Sequence, residues 1–200
     1  MKKFLAIIAA TALLLTGCSQ VGAAATVGDT KITQATVQGS VDSLLAERAK
    51  VDVTQMQLET GEALNRSQLR FHLLSKLLRA LGKELKIEVT KAEIDTRRAS
   101  ILEQVGGTSS LPTALVSAGI APADLDTYIE AISLSDKISK ALIAAGVTED
   151  QVGTEIQKLV VAKSKELGVT INPRYGKWNA ETADIVAADP ASSAVTPSGN

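Results

Sequence analysis

The stretch from Ser67 to Leu85 constrains the fold most: Leu69, Leu73, Leu77, Leu81 and Leu85 recur every four residues, and Phe71, Leu74 and Leu78 broaden the stripe. That spacing sets the side chains on one side of an α-helix. A face this wide is stable in water only when other helices cover it. The chain is therefore predicted to be mainly α, a helical bundle organised around this segment.

Helices to cover it are legible on both sides. Thr33 is a predicted N-cap for a helix with Val37, Val41, Leu44, Leu45 and Arg48 on one face, weakened a little by Gly39. From Val51 to Asn65 the periodicity fades, so a long loop is expected there, with Met56 and Leu58 partly buried. Thr90-Lys91-Ala92-Glu93 has the pattern of a capping box, opening a helix that stops at Gly106-Gly107. A short helix near Pro112 to Ser117 is expected to end at Gly119. Pro122 suits the first turn of a fifth helix carrying Leu125, Tyr128, Ile129, Ile132, Ile138 and Leu142, closed by Gly146. Thr148 to Gln151 has the spacing of a second capping box, before a helix that buries Val152, Ile156, Leu159, Val160 and Leu167 up to Gly168.

Two short β segments remain. Ala25 to Val27 and Lys31-Ile32 flank a Gly28-Asp29 turn, and Val169 to Ile171 follow the last helix. Strands this short are unstable alone. The economical arrangement pairs the segment after the last helix with the one before the first, giving a small β element that joins the two ends of the domain.

The N-terminus carries a different signal. Lys2 and Lys3 precede an apolar run from Phe4 to Leu15, interrupted only by Thr11. This is the outline of a signal peptide, too short to span roughly 30 Å of hydrocarbon as a helix of about 20 residues. Leu15-Thr16-Gly17-Cys18 resembles the lipobox of bacterial lipoproteins, in which small residues admit the peptidase and the thiol takes diacylglycerol as a thioether. A secretory signal with an incidental cysteine is the alternative, but Cys18 is the one cysteine of the chain and sits at the one useful place. Two acyl chains anchor firmly where a single one holds marginally, at about 0.8 kcal/mol per buried methylene. The chain is thus expected to divide into a signal peptide at 1–17, a lipidated N-terminus and tether at 18–25, a helical domain at 26–179 and a disordered tail at 180–200, rich in Ala, Ser, Asp and Pro. The expected location is the extracytoplasmic face of the cell membrane, held there by lipid.

Charge and motif content narrow the chemistry. Cleavage before Cys18 removes Lys2 and Lys3 from the 21 basic side chains, leaving 19 against 22 acidic ones. That balance offers no basic field for nucleic acid. With Cys18 lipidated there is no disulfide, and packing must hold the fold. His72 is the single histidine and lies in the leucine-rich helix beside Phe71, where a packing role outweighs a catalytic or metal-binding one. No nucleophile elbow, zinc-protease pair or phosphate loop is present, and Gly106-Gly107 lacks the lysine and strand that phosphate binding requires. Glu93, Asp95, Glu103, Arg97 and Arg98 read as a solvated surface. Tyr175 and Trp178 fall together near the C-terminal strand; an aromatic plug closing one end of the domain is favoured over a ligand-stacking pair. No catalytic residue, metal or cofactor beyond the covalent lipid on Cys18 is expected.

Two border motifs carry a family resemblance. Ala25-Thr26-Val27-Gly28-Asp29-Thr30-Lys31-Ile32-Thr33, entering a helix soon after the lipidated cysteine, resembles the opening of SurA/PrsA-type chaperone and foldase domains. The segment from Val169 through Asn172-Pro173-Arg174-Tyr175-Gly176-Lys177-Trp178 resembles the strand with which such domains close. Members usually carry a parvulin prolyl-isomerase domain of about a hundred residues; this chain has neither room for it nor its glycine-rich segment and histidine pair, so isomerase activity is not implied. What the resemblance implies is a non-catalytic, membrane-anchored chaperone-like domain that binds unfolded or nascent secreted proteins in an apolar cradle. The leucine stripe fits either an open cradle or a closed core. A structural or assembly lipoprotein that docks one dedicated cell-envelope partner is the alternative function.

Overall fold

The computed structural model describes residues 21–188. The expected signal peptide, the lipobox-like residues Leu15, Thr16, Gly17 and Cys18, and the stretch 189–200 lie outside the described residues. The fold is mainly α with a small antiparallel β element, as the sequence predicts. Strands β1 (Ala23–Val27) and β2 (Thr30–Thr33) lead into helices α1 (Gln34–Arg48), α2 (Gly61–Leu85), α3 (Lys91–Gln104), α4 (Leu111–Ala118), α5 (Leu125–Ala144) and α6 (Glu149–Leu167). The chain then closes through β3 (Val169–Ile171), β4 (Lys177–Asn179) and β5 (Asp184–Val186).

The ends meet as expected. β1 pairs antiparallel with β2 on one side and with β3 on the other, with Ala25 opposite Ile171, Thr26 opposite Thr170 and Val27 opposite Val169. A two-residue hairpin loop needs a positive φ at its first position, and Gly28 adopts +54° there. The register is pinned at both ends of the β1–β3 pair: Gly28 N–H donates to Gly168 O at 3.1 Å, and Asn172 N–H to Ala24 O at 2.8 Å.

α2 is the central element, packed against α1, α5, α6 and β1. The row from Leu69 to Leu81 is enclosed, while Leu85 at its end is exposed: Leu69, Leu73 and Leu77 have no exposed surface, and they share a core with Val27, Ile32, Val37, Ile138, Val160 and Tyr175. Each fully buried leucine contributes about 1.5–3 kcal/mol of hydrophobic stabilisation. The stripe is therefore a closed core and not a cradle. A second cluster forms where Val41 and Leu44 of α1 meet Leu64, Val116 and Ala121, with Val51, Val53, Met56 and Leu58 packed against it. The 51–60 connection is tied down by apolar contacts, as Met56 and Leu58 suggested. Polar contacts lock the periphery. Arg79 forms a two-pronged pair with Glu130, at 2.8 and 2.5 Å, and the buried ammonium of Lys163 bridges Glu84 of α2 and Glu166 of its own helix.

Several boundaries differ from the sequence expectation, each for a physical reason. α2 starts at Gly61, inside the expected loop; Thr60 makes no side-chain cap bond, so the usual start signal is missing. Thr148 likewise begins α6 without a side-chain cap bond, and that predicted capping box is not formed. The Thr90–Glu93 box is formed in both directions, with Thr90 N–H donating to Glu93 Oε2 at 2.8 Å. Pro122 lies in a 3₁₀ turn, Pro122–Asp124, ahead of α5 rather than in its first α turn. Leu45 is 46 % exposed, because the buried face of α1 centres on Val37, Ser40, Val41 and Leu44. β1 begins inside the stretch 18–25 expected to be a tether, and Ala23, Ala24 and Ala25 are buried in it. The domain does not end at 179: Trp178 pairs with Ile185 across the β4–β5 hairpin, and Ala183 and Ile185 are core residues. An expected disordered tail from 180 is thus folded through β5.

Candidate functional site

Below the leucine stripe, α2 presents a second face to the α4–α5 connection. Ser67, Gln68, Arg70, Phe71 and Leu74 form one wall of a groove of about 260 Å³. The other wall runs from Ala118 through Ile120 and Asp124 to Tyr128. Its shape follows from local chemistry. Gly119, at φ +68°, ends α4 and turns the chain; Ile120 N–H then donates back to Leu115 O at 2.9 Å. Pro122 starts the 3₁₀ turn, and Gln68 reaches across from α2 to donate its amide to Gly119 O at 3.0 Å. Phe71, Leu74, Ile120 and Tyr128 give the groove its apolar surface, whereas Arg70 is drawn toward Asp184 at 3.0 Å.

Behind the groove lies a polar knot. His72, 8 % exposed, brings its Nε2 to 2.8 Å from Ser40 Oγ and 3.8 Å from Asp124 Oδ2. The Ser40 hydroxyl also lies 3.2 Å from Thr36 O, an atom that can only accept. The hydroxyl has one hydrogen for these two contacts, and in either tautomer of the ring Ser40 joins His72 to the α1 backbone. Burial pushes the imidazole below its ordinary value of 6.5; Asp124 opposes this, while Lys76 and Arg79 add to it.

Serine, histidine and aspartate together invite comparison with a hydrolytic relay, and the geometry argues against one. In a relay the carboxylate holds Nδ1 while Nε2 faces the nucleophile. Here hydroxyl and carboxylate approach the same nitrogen, and Ser40 is buried. The knot instead fastens α1, α2 and the 3₁₀ turn to each other. Asp124 is its loose member: Oδ2 is buried yet accepts no hydrogen bond among the described residues, and its side chain does not cap α5.

The structure places the other sequence candidates as follows. Tyr175 is a core residue with Ala183 and Ile185, and Trp178 packs against the same cluster. They act as the plug the sequence favoured, with Tyr175 enclosed rather than presented for stacking. His72 packs beside Phe71 with ring centroids 5.1 Å apart. Glu93, Asp95, Arg97 and Arg98 belong to the solvated surface around α3, where Glu93 meets Lys137 at 2.6 Å and Arg97 meets Asp136 at 3.2 Å. Sequence reasoning missed Ser40, Asp124 and the groove. A hydroxyl on an apolar helix face, at Ser40 between Val37 and Val41, was the available signal for the knot. Among the described residues, no group of three or more His, Cys, Asp or Glu is placed to hold a metal, and no helix is long and apolar enough to cross a membrane. No protein-family model matches the chain, and neither a curated protein nor a solved structure matches it at a significant level.

Proposed function

We propose that this chain is a lipid-anchored extracytoplasmic protein whose helical domain binds unfolded or partly folded exported polypeptides without transforming them. The observation that carries this reading is the groove: two of the four aromatic side chains among the described residues, Phe71 and Tyr128, line it together with Leu74 and Ile120. Half-covered aromatic and aliphatic side chains beside a fully closed core are what a short apolar segment of another chain can use. Because the leucine stripe is enclosed, the client surface is this groove and not a wide cradle. The border motifs that resemble SurA/PrsA-type domains support the same reading.

The anchor adds a spatial constraint. Lipid on Cys18 leaves Ser19 to Gly22 between the membrane and the first strand residue, Ala23. Five steps of about 3.5 Å reach roughly 17 Å, so the domain works close to the bilayer, where exported chains emerge. Replacing Cys18 with Ala should release the protein from membranes; retention without any lipid label refutes the anchor.

The binding claim is tested by aggregation of a denatured client. The full-length chain should slow it at near-stoichiometric ratio, and Phe71→Ser should lose most of that effect while keeping the helical circular dichroism of the parent. No slowing across several unrelated clients refutes the reading. Photo-crosslinking from Tyr128 that returns one envelope protein, and no extended clients, replaces it with a dedicated docking role.

A further inference from the structure

The groove has one charged feature that its neighbours leave unanswered. Asp124 lines it with a side chain 16 % exposed, and its buried Oδ2 accepts no hydrogen bond among the described residues. The nearest basic group, His72, places its Nε2 2.8 Å from Ser40 Oγ and 3.8 Å from the carboxylate, too far for a hydrogen bond to Asp124. Arg70, the other charged residue of the groove, pairs with Asp184. Gln68 spends its amide on Gly119 O, and the backbone amide of Ala123 donates to Ser43 rather than to Asp124.

We propose, resting on the polypeptide-binding reading above, that the groove selects client segments in which a lysine or arginine is flanked by apolar residues, with Asp124 as the counter-charge. A purely apolar segment seated here would strip water from the carboxylate and give nothing back. An acidic segment would add like-charge repulsion. A basic side chain supplies donors to the carboxylate, lays its aliphatic stem along apolar walls such as Leu74 and Ile120, and meets the faces of Phe71 and Tyr128 by cation–π attraction. The occupant is thus amphipathic and cationic, as the charge of the site requires.

The test uses the full-length chain in phosphatidylcholine nanodiscs and three labelled peptides of one apolar sequence that differ at the central residue: lysine, norleucine or glutamate. Fluorescence anisotropy should show the lysine peptide binding about tenfold tighter than the norleucine peptide, the worth of one charge-assisted hydrogen bond, with glutamate weakest. Asp124→Asn keeps the shape of the side chain and should erase the lysine preference, weakening the lysine peptide and tightening the norleucine peptide, which no longer strips water from a carboxylate. Added salt should weaken the lysine peptide alone, which tests the charge in the unaltered protein even if the variant folds poorly. Equal binding of lysine and norleucine peptides overturns the basic preference and leaves the polypeptide-binding reading standing. Failure of all three peptides to bind overturns both.

Discussion

Replacing Gly82 with alanine should destabilise the protein, against the usual preference of helices for alanine. Gly82 is a buried residue near the end of α2, where α5 approaches closely. A Cβ there would lie 2.8 Å from Leu134 Cδ2 and 2.9 Å from the carbonyl oxygen of Ile87. Carbon contacts are optimal at about 3.5–4.0 Å, so both neighbours must retreat by more than half an ångström. Leu134 is itself buried, and the Ile87 carbonyl belongs to the turn that ends α2, where Ile87 N–H donates to Gly82 O at 2.7 Å. Neither can move freely. Overpacking of this kind costs about 1–3 kcal/mol, and the helix propensity of alanine returns at most about 1 kcal/mol. With the full propensity gain returned the net loss should be up to about 2 kcal/mol, read from the midpoint of urea unfolding followed by circular dichroism. Gly39 and Gly153 are internal controls, being helical glycines whose Cβ would meet nothing within 4 Å. Alanine at either should stabilise by about 0.5–1 kcal/mol. If Gly82→Ala stabilises like the controls, the close approach of α5 to α2 is refuted.

The remaining predictions concern the end of the same helix and two titrating groups. Lys86 holds φ +57° where α2 ends, a region that costs a side-chain-bearing residue about 1 kcal/mol, so Lys86→Gly should raise the unfolding midpoint. Glu93 is held down to about 2, first by its bond from Lys137 and then by the Thr90 capping box. Its contribution is complete above the ordinary value of 4.5 and disappears as pH falls toward about 2; Glu93→Gln should flatten that acid limb. His72 works over a different window. Its folded value is depressed mainly by burial, so the unfolded chain binds more protons below 6.5, and stability should fall as pH drops from there toward the lowered value. His72→Asn should reduce that slope in urea unfolding between about pH 7 and about pH 5.5; an unchanged slope refutes a buried neutral ring.

What the sequence made legible was local or periodic. Thr33 and Thr90 announce their helices because a cap is a contact across three residues, from Thr33 Oγ1 to Thr36 N–H and from Thr90 to Glu93. The border pairing of β1 with β3 followed from two short apolar segments with no other partner. What it hid was long-range or unpunctuated. Gly61 to Arg66 belongs to α2 but contributes Leu64 alone to a core, so the leucine period begins too late to mark the start. β5 has three residues, and its place is set by Trp178 and Ile185 across a turn held by Asn179, whose side chain accepts from Glu181 N–H at 3.0 Å. No spacing in the chain links Ser40 and Asp124 to His72. They meet because α1, α2 and the 3₁₀ turn pack together, and a helix pattern carries no record of which partner face a polar residue will meet.

The groove nevertheless left one trace, in the width of the stripe that organises the fold. A core needs α2 to present the i, i+4 row of Leu69, Leu73, Leu77 and Leu81, and that row is buried. Phe71 and Leu74 lie beside it: both are half-buried and both line the groove, and whereas Leu74 also packs against the core, Phe71 is apolar surface beyond it. Apolar surface in excess of core demand is destabilising to solubility and gains nothing in packing unless something covers it. α1 and α6 cannot cover it, since α1 contributes Val37 and Val41 to the two cores and α6 contributes Val160 to the first. The α4–α5 connection covers it in part, with Ile120 and Tyr128 facing across a gap of about 260 Å³. The same helix therefore does two jobs on adjacent faces, and the residues assigned to each can be separated experimentally. Leu73→Ala should cost about 2–5 kcal/mol of stability, whereas Phe71→Ser should cost far less stability and more client binding. If the two substitutions lower stability equally, Phe71 is core and the groove loses its binding role.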